Sequence, residues 1–190
     1  RTALEAWLAL FGFTRLGRHR SKDVDLWGQG DVRFVVNSER DSVAQAYYLM
    51  HGPSVCALAF DTDDPHAALA RAESFGAGRF EGRVGAGELA IPAIRNQDGS
   101  LVYFTARDAD GRPAFERDFV LDGAAVTGIG LERIDHVAEA LPEGGLDSWV
   151  LFHRAVLGLE PETTFILPDP YGLMRSRAMS NASRRIRMPL

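Results

Sequence analysis

Apolar groups at Leu4, Trp7, Leu8 and Phe11 recur at the spacing of one helix face, and Gly12 closes that run. Phe13 to Arg18, Val24 to Trp27 and Val32 to Val36 then predict three short strands, the last two around the turn Gly28-Gln29-Gly30-Asp31. Asp41 to Met50 predicts a helical insert. Val55 to Asp61 is a strongly apolar strand, followed by Asp64 as N-cap, Pro65 at the first helical position, the stripe Ala68, Leu69, Ala72 and Phe75, and a stop at Gly76. Three more strands are expected at Arg79 to Arg83, Leu89 to Ile94 and Leu101 to Ala106, with turns at Gly85 to Gly87 and Asn96 to Gly99. Arg107 to Gly128 reads as a connector. After it the chain alternates: Ile134, His136 and Ala138 share one face of an expected strand, and Asp135, Val137 and Glu139 share the other. A helical pattern runs from there to Leu157 and stops at Gly158.

Helix, glycine, strand, strand, strand thus occurs three times, after Gly12, Gly76 and Gly158. The first two glycines lie 64 positions apart and the next two 82 apart, the difference being close to the length of the connector. In the second and third copies a strand precedes the helix; in the first the chain begins too late to contain it. Self-similarity of this kind is a stronger fold signal than local propensity. One helix covers one face of such a sheet, so the other face needs a second unit. The expected fold is α+β, with βαβββ units paired into cups of curved mixed sheet and helices outside. Residues 1–106 would form one complete cup, 107–129 the connector, and 130–190 the first half of a second cup with one face uncovered.

Composition narrows the function. With 46% hydrophobic and 25% charged residues, this is the balance of an ordinary soluble domain. A formal charge of −5 and the absence of a long basic run argue against a nucleic-acid partner. No stretch reaches the roughly 18 consecutive apolar residues of a membrane span. A single cysteine, Cys56, excludes an internal disulfide and points to a reducing, cytoplasmic setting. The chain opens inside a helical pattern at Arg1 and stops inside a strand pattern at Leu190, as expected for a piece of a longer polypeptide.

Paired βαβββ cups are the plan of the vicinal oxygen chelate superfamily. Within it, Arg18-His19-Arg20-Ser21-Lys22-Asp23-Val24, His51-Gly52-Pro53-Ser54-Val55-Cys56, Leu89-Ala90-Ile91-Pro92-Ala93-Ile94, Ile134-Asp135-His136, Ser176-Arg177-Ala178-Met179 and Ile186 to Leu190 resemble the 4-hydroxyphenylpyruvate dioxygenases. Leu146 to Phe152 and Leu167 to Leu173, ahead of Arg175-Ser176-Arg177, resemble more closely the dioxygenase-like region of two-domain bacterial 3-dehydroshikimate dehydratases. That resemblance implies a parent lyase in quinate and shikimate breakdown. Its dehydratase barrel, outside these residues, would use Mg(II), Mn(II) or Co(II), and this region alone would be inactive. The dioxygenase resemblance implies Fe(II) held by two histidines and a carboxylate. His136 matches the first of those histidines, and the other two ligands belong to a fourth unit absent here. A homo-oligomer and a small-molecule substrate are implied on the same ground.

Three readings stay open: the dioxygenase-like part of a dehydratase, a 4-hydroxyphenylpyruvate dioxygenase, or a metal-free binding and assembly module. On residues alone, a strand histidine is a possible transition-metal ligand or a core histidine bonded to a carbonyl. Arg175 and Arg177 share a strand face and are candidates for an acidic substrate, or a solvated edge. His153 is expected at the packing edge of its helix. Cys56, among Val55, Ala57 and Leu58, reads as core, so the first cup is expected to be metal-free and structural. No Gly-x-Ser-x-Gly elbow or phosphate loop is present, and no catalytic residue is assigned.

Overall fold

The first helical stripe forms α1 (Thr2–Leu10), whose Leu8 packs into a cluster with Phe13, Trp27, Val32 and Val36. The computed structural model describes residues 1–126 and 128–190. Gly12 takes φ +78°, which lets its N–H reach the Ala9 carbonyl and that of Phe13 reach Leu8, both at 3.0 Å. The chain then enters an antiparallel meander, β1 (Thr14–His19), β2 (Val24–Gln29) and β3 (Val32–Asn37). Every residue of β2 is buried, as a central strand covered on both faces should be. Asp25 sits fully buried within it, paired with Arg1 and, at 3.6 Å, with Arg15. Helix α2 (Val43–His51) follows, its N-cap Ser42 accepting the Gln45 N–H.

β4 (Ala57–Asp61), α3 (Pro65–Ser74), β5 (Ala93–Arg95) and β6 (Leu101–Thr105) build the second sheet. β4 runs parallel to β6, β5 runs antiparallel to it, and Arg79 bridges to Ile94 on the outer edge of β5. The opening strand therefore lies beside the last strand of its unit, not beside the next one in sequence. The expected strands at 79–83 and 89–94 shrink to that bridge and to three residues. Between them the chain is held by side chains instead of a ladder. Glu88 accepts from Lys22 Nζ at 2.5 Å, from the Gly85 N–H at 2.6 Å and from the Ser21 hydroxyl, and the Leu89 N–H donates to Asp118 Oδ2 at 2.8 Å. The connector expected at 107–129 is not plain coil. It carries a 3-10 turn, Ala114–Asp118, and a strand, β7 (Phe119–Leu121), which joins β1 to give the order β3-β2-β1-β7. Gly17 makes the junction possible, because a Cβ there would lie 2.3 Å from the Val120 carbonyl oxygen.

Lys22, with Ser21 and Gly85 behind it, lowers the Glu88 carboxyl from 4.5 to about 2. A depressed acid stabilises the fold in full above its unfolded value and loses that contribution as pH falls through the folded one. Acid should therefore loosen the 80–92 loop between about pH 4.5 and 2, read as faster amide exchange at Gly85 and Leu89. Glu88→Gln should flatten that dependence.

The third sheet is built from β8 (Glu160–Asp169), β9 (Gly172–Ser180) and β10 (Arg187–Pro189), in the order β10-β9-β8, after α4 (Leu146–Leu157), which ends in left-handed Gly158. By contacts the described residues divide into Arg1–Leu69 with Gly78–Arg133, and Ala70–Ala77 with Ile134–Leu190. Both follow the α+β plan of βαβββ units. In the second, Phe165, Ile166, Leu167, Leu173 and Met174 remain exposed on the β8–β9 hairpin, and Tyr171 at its turn is 99% exposed.

Candidate metal centre

Ile134 to Ala138, expected as the opening strand of the third unit, is not a regular strand. Its backbone does approach β10: the Val137 N–H donates to the Arg187 carbonyl at 3.2 Å and the Glu139 N–H to the Pro189 carbonyl at 2.9 Å. A parallel ladder needs the return bond from the N–H of residue 189, and proline has none. The ladder is one-sided, yet the segment still lies beside the last strand of its unit, as β4 lies beside β6.

Released from strict alternation, Asp135 and His136 turn toward one another. His136 is half-exposed, and its Nδ1 lies 2.8 Å from Asp135 Oδ2. The same Oδ2 accepts from Arg187 Nη1 at 3.2 Å. His136 is thus neither the core histidine bonded to a carbonyl nor a lone ring in solvent. That core description fits His153, expected at the packing edge but only 1% exposed. Its Nδ1 donates to the Trp149 carbonyl at 2.9 Å and its Nε2 lies 3.2 Å from Glu139 Oε2. Glu139, three residues after His136, is thereby fastened to α4.

Arg175 is exposed on β9, and Arg177 Nε donates to Thr164 Oγ1 at 2.7 Å. Register pairs Arg187 with Ser180 and Met188 with Met179. Alternation along β9 then puts Arg175 and Arg177 on the face of Met179 and Met188, both buried, and Arg187 on the opposite face. The structure does not join the two predicted arginines to His136; the arginine it brings there is Arg187. Asp135 and Arg187 escaped sequence reading because their meeting depends on which strand neighbours the 134–139 segment. Cys56 precedes β4 half-buried, and burial pushes its thiol up from its ordinary value, as suits a packing role. Among the described residues no three or more His, Cys, Asp or Glu side chains gather as a metal cage, and no helix is long and apolar enough to cross a membrane.

Residues 1–120 match the family described as hydroxyphenylpyruvate dioxygenase, N-terminal. The chain belongs to that family. That match stops short of the Asp135–His136 segment. The 3-dehydroshikimate dehydratase of Pseudomonas aeruginosa is 46% identical over 98% of this chain, which spans 30% of that protein. The 4-hydroxyphenylpyruvate dioxygenase of Pseudomonas sp. is 35% identical, also over 98% of the chain, which spans 53% of it. Among solved structures, a xylose isomerase-like TIM barrel/4-hydroxyphenylpyruvate dioxygenase fusion protein superposes with a TM-score of 0.85 at 40% identity, covering all of this chain and 29% of that one. The chain thus spans under a third of its dehydratase relative and about half of its dioxygenase relative. Both names describe enzymes of small-molecule substrates.

Proposed function

We propose that the chain is the dioxygenase-like part of a two-domain 3-dehydroshikimate dehydratase, whose loss of water from 3-dehydroshikimate to give protocatechuate is carried out by residues outside these 190. The observation that carries this reading is the pairing of 46% identity along nearly the whole chain with coverage of only 30% of the relative. A barrel-and-dioxygenase fusion of the same proportion supports it. The second reading, a 4-hydroxyphenylpyruvate dioxygenase forming homogentisate, draws on the family match and on His136.

His136 suits a role as one metal ligand. Its Nδ1 is occupied by a carboxylate, which leaves Nε2 as the coordinating atom, on a ring that solvent reaches. One imidazole does not hold a metal by itself. In either reading the remaining ligands come from outside this sequence. A divalent ion completed there, Fe(II) in the dioxygenase reading, supplies Lewis-acid and oxygen chemistry. The dehydratase barrel would carry its own Mg(II), Mn(II) or Co(II). This chain's contribution is to hold the ring: β10 carbonyls fix the backbone at Val137 and Glu139, and His153 fixes the Glu139 side chain. Arg175 is the exposed cation for an acidic ligand approaching the other face, with Arg177 already bonded to Thr164.

The test is to express the full gene product and offer it both substrates. Protocatechuate without homogentisate is the expected result. Homogentisate from 4-hydroxyphenylpyruvate, with 3-dehydroshikimate untouched, would replace this reading by the second.

A further inference from the structure

Neighbouring residues of a regular strand point to opposite faces, so a strand cannot bring the side chain of residue 135 onto the ring of residue 136. Here they meet, on a segment whose ladder with β10 is one-sided. The carboxylate that reaches the ring is itself steadied by Arg187, whose strand is fixed on β9 through three register pairs. A carboxylate accepts and never donates, so the 2.8 Å contact places the hydrogen of a neutral imidazole on Nδ1.

We infer that Asp135, anchored by Arg187, is a positioning residue that selects the Nδ1–H tautomer of His136 and presents Nε2 as its donor atom. The metal half of this inference rests on the reading of His136 as a ligand; the tautomer half does not. Carboxylate, imidazole and metal in line is the arrangement by which proteins fix ring orientation and strengthen a histidine ligand, and losing the outer partner costs about 10–100-fold in metal affinity.

The experiment uses the full gene product labelled with 15N-histidine, metal-free, at a pH where the ring is neutral. The His136 signals are assigned by their loss in His136→Gln. Long-range proton–nitrogen correlation should show Nδ1 protonated and Nε2 bare. Asp135→Ala should shift the ring toward the Nε2–H form, and Asp135→Asn, whose amide oxygen still accepts, should restore the original form in large part. Co(II) titration, followed by the visible band that His136→Gln removes, should show binding weakened about 10–100-fold in Asp135→Ala and recovered in part by Asp135→Asn. Asp135 is half-exposed, so unchanged circular dichroism is expected and separates positioning from unfolding. An Nε2–H ring in the unsubstituted protein, or a tautomer that ignores Asp135→Ala, overturns the inference. If His136→Gln leaves Co(II) binding untouched, the ligand reading fails, and the tautomer result alone decides the role of Asp135.

Discussion

Replacing His153 by leucine while Glu139 stays in place is expected to cost about 1–3 kcal/mol of stability, the loss found when a buried polar group is left without its partner. Both ring nitrogens of His153 face acceptors, the Trp149 carbonyl at 2.9 Å and the Glu139 carboxylate at 3.2 Å. Trp149 and Phe152 pack their rings against the imidazole, with centroids 5.9 and 5.8 Å away, so its surroundings are largely apolar. Glu139→Leu alone should be costly for the same reason, leaving a buried imidazole facing nothing. The double variant His153→Leu/Glu139→Leu should recover much of the loss, since two apolar groups of similar volume have no charge to strand. Urea denaturation of the four proteins measures it. Simple additivity, with the double variant as unstable as the two losses combined, would show that the two side chains do not act as a pair. A second readout follows from position: because Glu139 closes the segment that carries His136, either single variant should also speed amide exchange at Val137 and Glu139, the two N–H groups that bond to β10.

The three-fold recurrence of helix, glycine and strands was legible in the chain because it rests on local chemistry: an apolar stripe, then a left-handed glycine such as Gly12, Gly76 or Gly158. What failed to show is what depends on a neighbour far away in sequence. Ile134 to Ala138 alternates like a strand, but a strand is made by two chains, and Pro189 on the other one cannot return the bond. The turn at Gly85 to Gly87 suggested two strands flanking it, yet the 80–92 stretch is tied by Glu88 to Lys22 and Ser21, some 66 positions earlier in the chain. β7 hid in the connector because three residues show too little periodicity, and its partner is made reachable only by the missing side chain of Gly17. The candidate site divides in the same way. His136 was visible as an imidazole in an alternating run. Asp135 and Arg187, which turn that imidazole into an oriented donor, lie 52 positions apart and could be joined only by register.

Gln29→Leu should cost about 2 kcal/mol and detach the chain that leads out of the first unit. Gln29 is 2% exposed and bonded through both amide atoms. Its Nε2 donates to the Phe11 carbonyl at 2.9 Å, and its Oε1 accepts the Ile129 N–H at 2.5 Å and the Leu131 N–H at 3.2 Å. One amide thus joins the end of α1, the end of β2 and the segment that leads to His136. A buried amide or carbonyl stripped of its partner costs about 1–3 kcal/mol. The cost stays short of the upper end here, because Ile129 and Leu131 are exposed enough for water to reach their N–H groups once the segment lifts. The segment lies close because glycine lets it: a Cβ at Gly30, where φ is +52°, would stand 2.4 Å from the Leu131 carbonyl oxygen. Gly30→Ala should therefore lift the same segment from the other side, breaking the 2.7 Å bond from the Asp31 N–H to the Glu132 carbonyl. Hydrogen exchange separates the two variants. Gln29→Leu should expose the amides of Ile129 and Leu131 first, and Gly30→Ala that of Asp31. Protection unchanged at all three positions in both variants would mean that the segment is held by something other than this clamp.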